Sequence, residues 1–149
     1  MKIRADEHVS PKILQAVRLL CLRQGWEISH VRDEHSEKTA DETWLSKFAN
    51  DGGQAILTGD ARILGRPHQL VAIRDTGLIS VVLSKDWTKA KRHEQAANII
   101  FWWPRLEQAL ESSGPGDCWP LPFSFDQQPL NKKVINYEKA AEALKKPLL

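Results

Sequence analysis

The sequence has little cysteine. Its two cysteines, Cys21 and Cys118, cannot build a disulfide framework, and Cys21 falls within an apolar pattern as a small core residue. Long hydrophobic runs are missing as well. No stretch approaches the roughly 18 apolar residues of a membrane span, and the opening MKIRADEH has no apolar h-region. The expectation is a chain without signal peptide or membrane span, in the reducing cytoplasm. Nor does one sign of charge dominate. Lys and Arg number 21 against 19 Asp and Glu, a formal net charge of +2, so any nucleic-acid footprint has to come from local clustering. There is no P-loop and no GxGxxG. The histidines, His8, His30, His35, His68 and His93, show no HExxH or comparable spacing, which removes the common zinc and nucleotide motifs. The triplet Asp-Glu-His occurs at 6–8 and again at 33–35; we read this as coincidence, not as a repeat.

What is present is a strand–helix alternation in a chain of 149 residues, long enough for one domain with a real core. KIRAD at 2–6 reads as an opening strand, weakened by its lysine and arginine. Ser10-Pro11 starts a helix, with Ile13, Leu14, Val17, Leu20 and Cys21 at helical spacing and Gly25 as its stop. WEISHV at 26–31 alternates like a strand, and 32–38 is a polar loop. Thr39 with Glu42 forms a capping-box pattern ahead of a helix bearing Trp44, Leu45 and Phe48, which Gly52-Gly53 stops. QAILTGD at 54–60 is a third strand. A basic turn, RILGRPH, leads to a helix near 67–76. LISVVL at 78–83 is the most strand-like run. A long helix over 87–112 presents Ile99, Ile100, Trp103, Leu106 and Leu110, and Pro104 should kink or break it. Such alternation implies an α/β fold, three layers with a small, mostly parallel sheet and helices on both faces. Residues 1–112 form this domain. Residues 113–149 are rich in proline and glycine and should not form regular structure. They nevertheless contain Trp119, Leu121, Phe123 and Phe125, so an irregular arm docked on its own domain or on a partner subunit is expected. YEKAAEALKK at 137–146 is a short helix candidate.

Three acids stand at meaningful places. Open parallel sheets gather functional groups outside the carboxyl ends of their strands. Asp6 ends the first strand and Asp60 the third. Asp41 opens the helix leading into the third strand, so it arrives at the same edge. Taken singly, each has a duller role: Asp41 beside a helix dipole, Asp60 in an Asx turn, Asp6 in the approach to the first helix. Together they repel unless a cation relieves them. The fitting cation is hard, Mg²⁺ or Mn²⁺, and its chemistry is phosphodiester hydrolysis. Glu7 and Glu42 lie beside two of the acids and could complete the shell or act through water.

The stretches "RADEHVSPKIL" and "TADETWLSKFANDGGQAILTGDARIL" resemble the PIN-like fold, and more narrowly the short PIN-like proteins related to VapC-type toxins. The resemblance covers roughly residues 1–112. It implies that Asp6, Asp41 and Asp60 are metal-binding and catalytic, with Thr58 as the hydroxyl two residues before the last acid. It also implies a divalent-metal ribonuclease, often the toxin of a toxin–antitoxin pair, with RNA as substrate and a cognate antitoxin as partner. His8 stands where the family usually has asparagine. The extra mid-chain glutamate of fuller PIN nucleases has no match here, and the arm has no counterpart in the family.

RNA would need positive charge beside the acids. Arg62 and Arg66 follow Asp60, while Lys85, Lys89, Lys91, Arg92 and His93 cluster after LISVVL. Trp87 could stack on a base, although a core position suits it slightly better. Two other readings stand beside the nuclease. One is a receiver-like phosphoacceptor domain with Lys85 as its lysine; it leaves Asp41 without a role and lacks one strand. The other is a non-catalytic PIN-like binding module. Exposed aromatics in the arm suggest a homodimer or a docked partner.

Overall fold

The computed structural model describes residues 1–36 and 39–145. Chain order is β1 (Lys2–Ala5), α1 (Pro11–Leu20), β2 (Glu27–His30), α2 (Asp41–Asn50), β3 (Ala55–Thr58), α3 (Pro67–Thr76), β4 (Ile79–Leu83), α4 (Lys85–Lys89), α5 (Arg92–Glu111), β5 (Cys118–Leu121) and α6 (Tyr137–Lys145). Short 3-10 turns occupy Val31–Asp33 and Ala61–Gly65. All five strands are parallel, in the order β2-β1-β3-β4-β5. Helices cover both faces, giving a three-layer α/β/α architecture.

Side-chain alternation along the strands sorts the core into two clusters. Ile3 and Ala5 of β1, Ala55 and Leu57 of β3, and Val81 and Leu83 of β4 face α1 and α5. Ile56 faces α2 and α3 among Trp44, Leu45, Phe48 and Ile73. Arg4 lies on this second side. Its guanidinium sits 4.6 Å from the Phe48 ring centre and pairs with Glu34 at 3.4 Å, and its Nε donates to Ser29 Oγ at 3.1 Å. Stacking and pairing explain how a strand buried on both faces tolerates arginine.

Several expectations need correction. α1 ends at Leu20, short of Gly25, and Leu20, expected on its apolar side, is exposed. The residue at the N-cap of α2 is Ala40, which has no side-chain oxygen, so Thr39 and Glu42 form no capping box there; the Thr39 hydroxyl pairs with Ser36 instead. The expected long helix is two helices, because Ser84 caps a short α4 and the chain turns at Ala90. Pro104 does not break α5. It faces solvent, where water can serve the Ile100 carbonyl, while Trp102, Trp103, Leu106 and Leu110 are buried around it. That burial outweighs a proline cost of about 3 kcal/mol.

The largest departure is β5. It arises in the segment expected to be irregular and completes the sheet beside β4. Pro120 is tolerated because β5 lies at the sheet edge, where no further strand needs its N–H. Trp119 and Leu121 are buried. Beyond the strand, α5 fixes the chain. Trp102 Nε1 donates to Ser124 O at 2.7 Å, Asn98 Nδ2 to Ser124 O at 3.0 Å, and Arg105 Nη1 to Asp126 O at 3.0 Å. The final helix α6 packs on α3. Lys146, the last residue of the expected helix, lies outside the described residues, as do Glu37 and Lys38 of the polar loop.

Candidate active site at the crevice between the first and third strands

In this strand order the chain reverses direction across the sheet between β1 and β3, and ligands bind outside the carboxyl ends of strands at such a point. A cavity of about 180 Å³ opens there, lined by Asp6, Glu7 and His8 after β1, Arg32, Asp41 and Trp44, Thr58 at the end of β3 with Asp60 just beyond it, and Arg62 and Arg66. The structure thus brings Asp6, Asp41, Asp60, Glu7, Thr58, Arg62 and Arg66 to one place. Glu42 is half-buried on α2 and does not line this cavity. Lys85, Lys89, Lys91 and Arg92 do not line it either; they are exposed on α4 and at the start of α5. Trp87 is core, fully buried, with its indole N–H donated to Gln95 O at 3.1 Å, so it offers no face to a base. No described residue of the arm lines the cavity.

Asp6 is the buried acid of the set, 8% exposed. The Thr58 hydroxyl donates to its Oδ2; its Oδ1 accepts from the His8 N–H at 3.0 Å and the Gly59 N–H at 3.3 Å. Thr58 Oγ1 also accepts from the Asp60 N–H at 3.0 Å, so one hydroxyl ties the two strand-end acids together. His8 Nδ1 lies 3.4 Å from Asp6 Oδ2. That hydrogen bond raises the imidazole above its ordinary pKa against an opposing effect of burial, and the charges of Asp6, Asp60 and Glu7 add to the rise.

Asp60 caps the 3-10 turn that follows it. Its Oδ1 accepts from the Arg62 N–H and Nε, both at 3.0 Å, and its Oδ2 from Arg66 Nη1 at 3.2 Å. Burial pushes this carboxyl up, but the hydrogen bonds from Arg62 and the charges of both arginines outweigh it and leave the group below the usual carboxylate value. Asp41 accepts from Trp44 Nε1 at 3.0 Å and Gln69 Nε2 at 2.6 Å. Glu7 pairs with Arg32.

The donor chemistry, carboxylate oxygens beside hydroxyls, suits a hard divalent ion. Among the described residues no three His, Cys, Asp or Glu side chains converge closely enough to hold one. The fit is therefore with the habit of magnesium, which takes one or two carboxylates and keeps its waters. Asp6 and Asp60 are the candidates for such a pair, with Thr58 bonded to the Asp6 carboxylate and to the Asp60 backbone N–H; Asp41 is tied by neutral donors at both oxygens.

Sequence reasoning missed Arg32, Trp44, Gln69 and Gly59. Arg32 and Gln69 act through tertiary contacts that leave no local pattern, whereas Trp44 reaches Asp41 from one turn along the same helix. Gly59 had a signal in Thr-Gly-Asp, since a Cβ there would sit 2.5 Å from His8 Cβ. Among the described residues no helix is long and apolar enough to cross a membrane.

Comparison with curated proteins and with solved structures gives no match. A family model described as "PIN like domain" matches residues 1–85, more than half of the 149 residues, a span that contains every acid of the cavity. The chain belongs to the PIN-like domain family.

Proposed function

We propose that this chain is a divalent-metal-dependent endoribonuclease of PIN type, the toxin of a toxin–antitoxin pair. PIN-like domains are generally nucleases. The observation that carries the finer reading is the shared cavity: Asp6, Asp41 and Asp60, from three separate segments, line it with Glu7 and three arginines.

Asp6 and Asp60 would hold the ion. When bound, Mg²⁺ or Mn²⁺ supplies an acidified water and positive charge for the developing phosphate oxyanion. Thr58 orients Asp6 through its hydroxyl. Asp41 and Glu7 would act on the bound ion through water. The exposed guanidinium groups of Arg62 and Arg66 receive the scissile phosphate, and Lys85, Lys89, Lys91 and Arg92 follow the RNA backbone away from the cavity. The toxin role, and a cognate antitoxin as partner, rest on the resemblance to VapC-related proteins. A second copy of the chain as partner rests on exposed Phe125 in the arm.

The receiver-like alternative gains a fifth strand, but its lysine, Lys85, does not line the cavity with Asp60, and the family is PIN-like. The test is cleavage of single-stranded RNA by the purified chain. Cutting is expected with Mg²⁺ or Mn²⁺ and not with EDTA, and Asp6→Asn or Asp60→Asn should each lower the rate at least about a hundredfold. Cutting that survives both substitutions overturns the assignment. Absence of metal binding at millimolar concentration favours the non-catalytic binding module.

A further inference from the structure

The carboxylates of the cavity are not paired alike. Asp6 accepts from a hydroxyl and two backbone N–H groups, with His8 farther off at 3.4 Å. Asp41 accepts from an indole and an amide, both neutral. Asp60 alone among the three aspartates has both oxygens taken by full cations, Arg62 at 3.0 Å and Arg66 at 3.2 Å. An ion at Asp60 has to displace them. We infer that Arg62 and Arg66 latch Asp60 against metal until a phosphodiester draws the two guanidinium groups away, so that metal and RNA bind synergistically. This rests on the proposal that Asp60 is a metal ligand.

The exposures favour such an exchange. The Arg62 and Arg66 side chains are 71% and 40% exposed, that of Asp60 only 14%. The arginines can therefore swing toward a ligand without opening the core, whereas the acid stays where it is. A phosphodiester oxygen pair offers a guanidinium the same forked geometry as a carboxylate, and it enters the cavity that the arginines already line. A guanidinium drawn onto a phosphate loosens its hold on Asp60. The freed oxygen is then available to an ion whose charge the phosphate also attracts. Linkage makes the effect reciprocal: a nucleic acid that tightens metal binding is itself tightened by metal, by the same factor. The latch also keeps Asp60 neutralised when no substrate is present.

The experiment is Mn²⁺ titration of the full chain by calorimetry, alone and with a six-residue single-stranded oligodeoxynucleotide. An uncharged methylphosphonate version of that oligonucleotide serves as control. The charged oligonucleotide should tighten Mn²⁺ binding about three- to tenfold, the range expected for releasing partly exposed ion pairs, and the uncharged one should not. The double variant Arg62→Gln with Arg66→Gln should bind Mn²⁺ alone more tightly than the parent by a similar factor and lose the oligonucleotide effect. Arg62→Lys with Arg66→Lys, which keeps both charges, should restore much of it. Both arginines lie at the surface, and an unchanged circular dichroism spectrum checks the fold. Equal Mn²⁺ affinity in parent and double variant, with no response to the oligonucleotide, overturns the latch and leaves the metal reading standing. No Mn²⁺ binding in either protein overturns both.

Discussion

A Cβ at Gly59 would sit 2.5 Å from His8 Cβ, and both positions are fixed by backbone that forms the site. Gly59 also gives its N–H to Asp6. Gly59→Ala therefore has to move either the turn after β3 or the turn after β1, and both bear acids of the cavity. We expect an overpacking cost of about 1–3 kcal/mol, seen as a melting temperature lower by roughly 3–10 °C. A melting temperature unchanged in thermal scans would show that the turn yields freely. At this scale the sequence was legible in part. Thr-Gly-Asp and Asp-Glu-His announced strand ends with polar side chains. The arginines on Asp60 stand close to it in sequence, and Trp44 lies one helical turn from Asp41; the Gln69 amide on Asp41 comes from another helix, and no spacing encodes that.

Among the elements, α6 shows how the end of the chain is fixed. Tyr137 opens the helix, and its hydroxyl donates to Gly116 O at 2.6 Å. Burial, helped by the charges of Cys118 and Asp117, pushes its phenol up to about 12. The folded value lies above the unfolded one, near 10. Folding therefore favours the neutral phenol. Its contribution is fully present below pH 10 and falls away as pH rises toward 12. Tyr137 is the single tyrosine of the sequence, so absorbance near 295 nm reads it alone. We expect little phenolate at pH 10.5 while the fold persists; titration at the ordinary value with native circular dichroism would show that α6 does not bury it. The other elements teach a related lesson. α1, α3 and β4 were legible from periodicity and bounding residues. β5 was not, since Pro120 and the glycines before it argue against a strand wherever a neighbour is required on both sides. As an edge strand it needs only one.

For the whole molecule, the sheet extends beyond the residues that carry the family likeness. That likeness spans 1–85, yet β4, buried along its whole length, is covered on its outer edge by β5. Removing residues 113–149 would expose that edge and the core behind Trp119 and Leu121. We expect such a truncation to lose cooperative unfolding or to aggregate, as read by circular dichroism melts and size-exclusion chromatography; a monomer that melts as sharply as the full chain would contradict this. The alternation of strands and helices gave the layers, because each strand end in such a sheet falls at the same edge. The central claim, that Asp6 and Asp60 share a divalent ion, concerns that edge. Its most direct test is anomalous diffraction at the manganese edge from crystals soaked in Mn²⁺. The account predicts a peak within coordination distance of a carboxylate oxygen of both Asp6 and Asp60. A peak bound to only one of them, or a cavity without manganese while the ion binds elsewhere on the surface, would contradict it.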